Sequence, residues 1–243
     1  MDMILHIATV ILAITSIICA YFIFAIECMK TKLHINIRVT WANLGLSCVI
    51  ISLGTLIMSC NELITKNHSG TPGYIFGYIV KTYGSRLNRF AFLAVAVERI
   101  LATIYFRKYI GDSFQYIGWI LAFISNVLGA LWFASTEFKF MPETFKNNMH
   151  LVILVPTLII FIFVIILNHK FRKKYINSKL RDKYQIMENK ETSLKFLPLI
   201  LITLIVQLLG SLITRVIVQY VYHYTISSFD METLYYSVCF FHN

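Results

Sequence analysis

The sequence has few charged residues and few cysteines, and each shortage excludes a class of protein. Charged residues make up 14% of the 243 residues, against about 25% in an ordinary soluble domain. The 5 cysteines show no paired spacing of the kind that holds zinc, and no histidine lies at ligand spacing from another ligand on one helix. We therefore expect neither a soluble fold nor a metal site.

The short motifs that mark common enzyme sites are also missing. The sequence contains no glycine-rich phosphate-binding loop and no strand-to-helix turn around a nucleophilic serine, the two patterns that most often reveal nucleotide-binding or hydrolytic sites. We therefore predict no enzymatic activity and no cofactor.

What the sequence does contain is a series of long apolar stretches, and hydrophobic residues make up 58% of it. A helix needs roughly 20 apolar residues to cross the ~30 Å hydrocarbon core of a bilayer. Continuous apolar runs without strict alternation exclude a membrane β-barrel. We predict an all-α integral membrane protein, with residues 1–243 forming a single helical domain. The six long stretches cover about residues 3–26, 41–59, 74–106, 116–134, 151–167 and 196–220.

A seventh, shorter apolar stretch occupies residues 231–243. It resembles the start of another helix, but about a dozen residues are too few to span a bilayer. The pattern predicts a seven-transmembrane receptor-like bundle with six complete helices and a partial seventh. The alternative is a six-helix protein with a short interfacial tail.

Basic residues concentrate in every second gap between the apolar stretches. Short cytoplasmic loops carry the excess of lysine and arginine, so these gaps are predicted to be cytoplasmic and the N-terminus external. Asn67-His68-Ser69 falls in a predicted external gap, which makes Asn67 a candidate glycosylation site. The net charge of +10 then reflects topology and contact with anionic lipid, so the bilayer is a predicted partner and nucleic acid is not. The basic gaps hold Lys30, Lys32 and Arg38, then Arg107 and Lys108, then a long series from Lys170 to Lys190.

The third apolar stretch carries charged residues, which are costly within a membrane and usually functional. Arg86 and Arg89 are three residues apart and share one helix face. They are ligand-binding candidates if that face is an inward basic patch that contacts an anionic or polar ligand group, or a partner carboxylate. In the alternative, their side chains snorkel toward the outer headgroups.

Glu98 and Arg99 lie near the predicted cytoplasmic end of the same stretch. A carboxylate beside an arginine at that position can hold a closed state by local pairing. Release of the arginine can then open a cytoplasmic cleft, as in an ion-pair switch. An interfacial pair that only anchors the helix is the alternative.

Three passages together resemble a known receptor family. Lys32–Arg38 forms the first predicted inner loop, Glu98–Thr103 reads Glu-Arg-x-x-Ala-Thr, and Tyr184–Asn189 in the long basic loop reads Tyr-Gln-x-x-Glu-Asn. With these passages the sequence resembles nematode serpentine chemoreceptors of the Sra superfamily, nearest to its Sre or Srab families.

The resemblance implies a G-protein-coupled receptor in the plasma membrane of sensory neuron cilia. Such a receptor detects an external small molecule, signals to a heterotrimeric G protein and can form receptor oligomers. Two other functions stay open: a small-solute transporter or channel component, and a non-signalling truncated receptor fragment. The residues that the resemblance assigns to switching or G-protein coupling are Glu98, Arg99, Tyr184, Gln185, Glu188 and Asn189.

Overall fold

The described part of the chain is built from long helices. In the computed structural model, the described residues are 2–29, 34–65, 70–105, 109, 116–138, 140, 143–174, 186–195, 197–198, 200–203, 205–206 and 209, and among them no strand occurs. The five continuous helices are α1 (Asp2–Met29), α2 (Ile35–Thr65), α3 (Pro72–Ile104), α4 (Ile117–Glu137) and α5 (Glu143–Lys174). A sixth helix, α6, comprises helical residues 186–195 and the described helical residues as far as 209. The prediction of an all-α fold is confirmed.

Three segments of the described residues are long and apolar enough to cross a membrane, namely Ile35–Thr65, Ile117–Glu137 and Leu151–Phe171. A shorter apolar helical segment covers His6–Phe22. α3, with 33 residues, is about 50 Å long at 1.5 Å per residue, which exceeds the thickness of the hydrocarbon core.

Several helices extend beyond the apolar stretches that predicted them. α2 begins six residues before the predicted residue 41 and ends six residues after the predicted residue 59. α5 begins at Glu143 rather than near residue 151. Residue 186 is already helical, ten residues before the predicted start of α6. Backbone hydrogen bonding continues through polar residues as readily as through apolar ones, so an apolar window locates the membrane-spanning part and underestimates the helix.

α3 lies at the centre of the bundle, in contact with α2, α4 and α5. Glycines let α2 and α3 approach closely: a Cβ atom built on Gly77 would lie 2.9 Å from the carbonyl oxygen of Gly54, and one on Gly84 would lie 2.9 Å from the backbone nitrogen of Ile51. Small residues at helix crossings are typical of membrane bundles, where close backbone packing drives association.

The core of the bundle joins four helices. Ile37 and Leu44 from α2, several α3 residues, Leu154 and Phe161 from α5, and Ile200 from α6 form one buried apolar cluster. The outward side of α4 is also apolar, and Phe123 on it is 70% exposed. An apolar outer face is expected where a helix meets lipid, because lipid tails are as apolar as the protein interior.

Candidate functional site

The candidate switch residues Glu98 and Arg99 form a bidentate ion pair near the end of α3. Arg99 donates from Nε to Glu98 Oε2 at 2.5 Å and from Nη2 to Glu98 Oε1 at 2.6 Å. Both side chains have a relative exposure of 0%. Consecutive residues of a helix do not usually face each other, but these two side chains are long enough to meet alongside the helix. The pair therefore lies inside the bundle.

Arg99 also contacts α6. Its Nη1 donates to Asn189 Oδ1 at 3.0 Å, and Asn189 is completely buried. One turn further along α6, the Ser193 hydroxyl donates to the Asn189 carbonyl oxygen at 2.7 Å. This single guanidinium therefore joins a carboxylate of its own helix to an amide of α6.

Tyr109 and His34 cover the Glu98 carboxylate from outside the membrane-spanning helices. The Tyr109 hydroxyl donates to Glu98 Oε1, and the rings of Tyr109 and His34 are in contact, with centroids 4.5 Å apart and planes tilted by 43°. Burial, reinforced by the negative charge of Glu98, raises the pKa of Tyr109 above its usual value. Tyr109 is therefore a neutral hydroxyl that donates a hydrogen bond to the carboxylate.

His34 precedes α2 and interacts with both α2 and α6. Its Nδ1 accepts a hydrogen bond from the Asn36 backbone N–H at 3.3 Å, and its own backbone N–H donates to Glu188 Oε1 at 3.3 Å. Burial lowers the pKa of His34 and raises the pKa of Glu188, because a desolvated group favours its neutral form.

Two further hydrogen bonds join the remaining helices to this region. Asn168 near the end of α5 donates from Nδ2 to the Thr103 hydroxyl at 3.1 Å. The Gly118 backbone N–H at the start of α4 donates to Asn36 Oδ1 at 3.1 Å. The ends of α3, α5 and α6 at this site therefore meet the beginnings of α2 and α4, all on the side of the bundle predicted to be cytoplasmic.

Arg86 and Arg89 lie in a different part of α3, together with Trp132 of α4. The Arg86 Cζ atom is 4.6 Å from the centroid of the Trp132 ring, and the Arg89 Cζ atom is 5.1 Å from it. Arg86 is 4% exposed and Arg89 is 5% exposed. Trp132 packs edge-on against Phe90, with centroids 5.8 Å apart. We call Arg86, Arg89 and Trp132 the diarginine cluster.

The predicted site residues thus fall into two groups and a remainder. Glu98, Arg99, Glu188 and Asn189 meet at the end of the bundle, while Arg86 and Arg89 belong to the diarginine cluster. Tyr184, Gln185 and the sequon residue Asn67 lie outside the described residues.

Several residues that complete these groups were not predicted as site residues, although the first two lie within the passages that resemble the receptor family. They are Asn36, Thr103, Tyr109, Trp132 and Asn168. Asparagines, a threonine and aromatic residues are common in membrane helices and their loops, so their type alone gives no signal. Only the proximity created by folding distinguishes them from their neighbours.

The sequence predicted no metal site. Within the residues that the structure describes, no three His, Cys, Asp or Glu side chains group in a way that could hold a metal ion. Cys19, Cys48 and Cys60 are free thiols.

The fold defines a class: an all-α membrane protein built as a helical bundle, with buried charged residues on its central helix. Residues 74–243 match the family described as Sre G protein-coupled chemoreceptor. Since the match covers more than half of the chain, the protein belongs to the Sre family of G protein-coupled chemoreceptors. No curated protein matches the sequence. The resemblance to Sra superfamily receptors is confirmed.

Proposed function

We propose that this chemoreceptor detects an external chemical ligand and signals to a heterotrimeric G protein, with Glu98 and Arg99 as its switch. The proposal places the receptor in the plasma membrane, with the N-terminus outside. The observation that carries it is the buried contact from Arg99 to Asn189, which joins α3 to α6 at one end of the bundle.

The geometry supports a closed resting state. Arg99 is neutralised by Glu98 and fully buried, so its guanidinium is not available to a cytoplasmic partner. Separation of α6 from α3 would break the hydrogen bond to Asn189 and uncover Arg99. A ligand favours that open state only to the extent that it binds the open state more tightly than the closed one.

The proposed role of the contact is tested by Asn189→Ala. A hydrogen bond to a charged group contributes about 1.5–3 kcal/mol, and loss of that amount shifts a two-state equilibrium by roughly 10- to 150-fold. We expect Asn189→Ala to raise ligand-independent nucleotide exchange by about tenfold or more, measured on a co-expressed G protein at equal surface expression.

Ser193→Ala is the matched control. Ser193 is buried one turn further along α6, and its hydroxyl donates to the backbone of its own helix. We expect basal exchange close to the wild-type level. If Asn189→Ala also stayed at that level, Arg99 and Asn189 would not hold the resting state.

Arg99→Ala tests the second half of the proposal. Arg99 is the group that the open state would present to the G protein, so its loss should abolish ligand-stimulated nucleotide exchange at normal surface expression. Full retention of exchange in this variant would remove Arg99 from the switch.

A further inference from the structure

The diarginine cluster brings two cations onto one aromatic ring. Arg86 and Arg89 are one turn apart on α3, and their Cζ atoms lie 4.6 and 5.1 Å from the centroid of Trp132. The electron-rich ring face attracts a cation, but two like charges beside one ring repel each other in a medium that screens poorly. The ring therefore offsets only part of the cost of the arrangement.

Both guanidiniums are buried, and the described carboxylate that attracts one of them is that of Glu137, an exposed residue at the end of α4 that acts on Arg86 from beyond ion-pair distance. Neither guanidinium lies within ion-pair distance of a carboxylate among the described residues. The Nε–H groups of Arg86 and Arg89 and the Nε1–H group of Trp132 are buried and donate to no hydrogen-bond acceptor in the described structure. Buried cations are normally paired and hydrogen-bonded, because an uncompensated charge in a low-dielectric interior is strongly unfavourable. Among the described residues, therefore, Glu137 offsets part of the charge of Arg86 from a distance, and no carboxylate is bonded to either guanidinium.

The position of the cluster separates it from the switch. Arg89 precedes Arg99 by ten residues, which is about 15 Å along the axis of α3. The walls here are apolar: Phe90, Ile153 and Trp132 form one buried cluster, with Leu93 packed against it. Cationic groups against apolar walls match a ligand that has both an acidic group and an apolar body.

Close helix packing fixes Trp132 over the two arginines. A Cβ atom built on Gly129, one turn before Trp132, would lie 3.1 Å from the Cα atom of Leu87. Leu87 lies between Arg86 and Arg89 on α3, so the approach of the two backbones sets the distance from the ring to both guanidiniums. The cluster is therefore held by the scaffold of the bundle.

We propose that the diarginine cluster binds the carboxylate or sulfate group of an amphiphilic organic anion, and that this anion is the ligand class of the receptor. Arginine presents planar, forked donors that suit an oxyanion, and two of them one turn apart can share it. The identity of the ligand class rests on the proposed receptor function, whereas binding of the anion does not.

The competing partner is a carboxylate of the chain itself. The two possibilities differ in the effect of removing both cations when no anion is added. If the cluster is uncompensated, Arg86→Gln combined with Arg89→Gln relieves a buried repulsion and keeps or raises the melting temperature. If an internal carboxylate neutralises the cluster, the same change leaves that carboxylate without a cationic partner and lowers the melting temperature.

The experiment measures thermal unfolding of the purified full chain in detergent, at constant ionic strength, with benzoate or with its neutral isostere benzamide at millimolar concentration. An aryl sulfate is the second anionic probe. We expect either anion, but not benzamide, to raise the melting temperature of the wild type by roughly 2–4 °C. The R86Q/R89Q variant should show no shift with any of the three compounds.

Lys81→Gln is the matched control, because it removes one positive charge from α3 at a position whose charge faces Glu62 rather than the cluster. We expect its anion response to equal that of the wild type. An equal response to benzoate and benzamide, or no response of the wild type to either anion, would overturn the proposal. So would a lower melting temperature of R86Q/R89Q without anion.

The result is separable from the test of receptor function, because unfolding is measured without a G protein. An anion-dependent shift without nucleotide exchange would leave the binding site standing and refute the signalling proposal. Raised nucleotide exchange in Asn189→Ala without an anion-dependent shift would support the signalling proposal and refute the anion-binding site.

Discussion

At the scale of single residues, burial sets the charge of the groups around the switch. His34 accepts a hydrogen bond at Nδ1 from the Asn36 backbone N–H, which only a neutral ring can do. Burial lowers its pKa below the ordinary 6.5, with Arg99 and Arg38 acting in the same direction and Glu98 opposing them. A proton on Nδ1 would remove the acceptor and place a positive charge at the N-terminus of α2, where the helix dipole disfavours it.

We therefore predict that the receptor loses stability as the medium becomes acidic. Because the folded-state pKa of His34 lies below its unfolded value, the folded state binds fewer protons. The contribution of His34 is present above about pH 6.5 and is lost as the pH falls through the lower folded value. The melting temperature should fall further between about pH 7.5 and pH 5.5 in the wild type than in His34→Asn. Asparagine accepts the same type of hydrogen bond without titrating in this range, so identical pH profiles would contradict the prediction.

Tyr109→Phe tests the hydroxyl that covers Glu98. The change keeps the ring that contacts His34 and removes the donor to a buried carboxylate. A hydrogen bond to a charged group contributes about 1.5–3 kcal/mol, so the melting temperature should fall by roughly 2–4 °C for each kcal/mol lost. Tyr116→Phe, at a tyrosine that is 71% exposed, should leave it unchanged. Equal effects of the two changes would argue against a stabilising contact with Glu98.

Among single residues, the sequence identified the charged residues of the candidate sites most directly. Glu98, Arg99, Arg86 and Arg89 stood out because charged residues are rare and costly in an apolar stretch. Trp132 and Tyr109 did not, since aromatic residues are frequent throughout this chain. Their roles depend on which helix ends meet, and one sequence contains no direct record of such distances.

At the scale of helices, the main feature that the sequence did not reveal is that residues 186–195, which precede the predicted start of α6, are already helical. Residues 186, 189 and 193 are buried on one face, and so are residues 188 and 192. That face is mostly polar, because four of these five buried residues are polar, namely Glu188, Asn189, Thr192 and Ser193. A search for apolar periodicity cannot detect a helix whose buried side is polar.

The first turn of α4 depends on a glycine. A Cβ atom at Gly118 would lie 2.6 Å from the Cα atom and 2.7 Å from the carbonyl oxygen of Asn36, and neither backbone atom can move alone. Gly118→Ala should therefore displace α4 from α2 and lower the free energy of unfolding by about 1–3 kcal/mol, as overpacking does. Thermal unfolding measures the loss.

Gly129→Ala provides the comparison on the same helix. The added methyl group would lie 3.1 Å from the Cα atom of Leu87, so a smaller displacement accommodates it. We expect a smaller loss of stability than in Gly118→Ala. A larger loss in Gly129→Ala would mean that the outer part of α4 is packed more rigidly than the part next to Asn36.

At the scale of the whole molecule, charge distribution predicts an external N-terminus. An epitope added before Met1 should be labelled on intact cells, and one inserted between residues 175 and 180 should be labelled only after permeabilisation. Asn67→Gln should increase electrophoretic mobility if the sequon is used, with the same increase on enzymatic deglycosylation of the wild type. Labelling of the inserted epitope on intact cells would reverse the topology.

The overall architecture was the most predictable property of the molecule. The bilayer permits few backbone structures, so apolar stretches of sufficient length predict helices directly. Resemblance over three short passages then indicated the receptor family, which the match over residues 74–243 confirmed. The packing of α3 between α2, α4 and α5 required the structure, because glycine spacing alone does not specify which helix approaches.

The placement of both switch charges on α3 has a consequence for the basal activity of the receptor, that is, its signalling without ligand. Glu98 and Arg99 can move together as a neutral unit, so opening need not break the ion pair between them. Among the described residues, the hydrogen bond that Arg99 then makes to α6 ends on the amide of Asn189. A contact of about 1.5–3 kcal/mol permits a low but finite background signal, and replacement of that amide by a carboxylate would suppress the background at the expense of sensitivity. The side chain at position 189 therefore sets the balance between the background signal and the sensitivity to ligand.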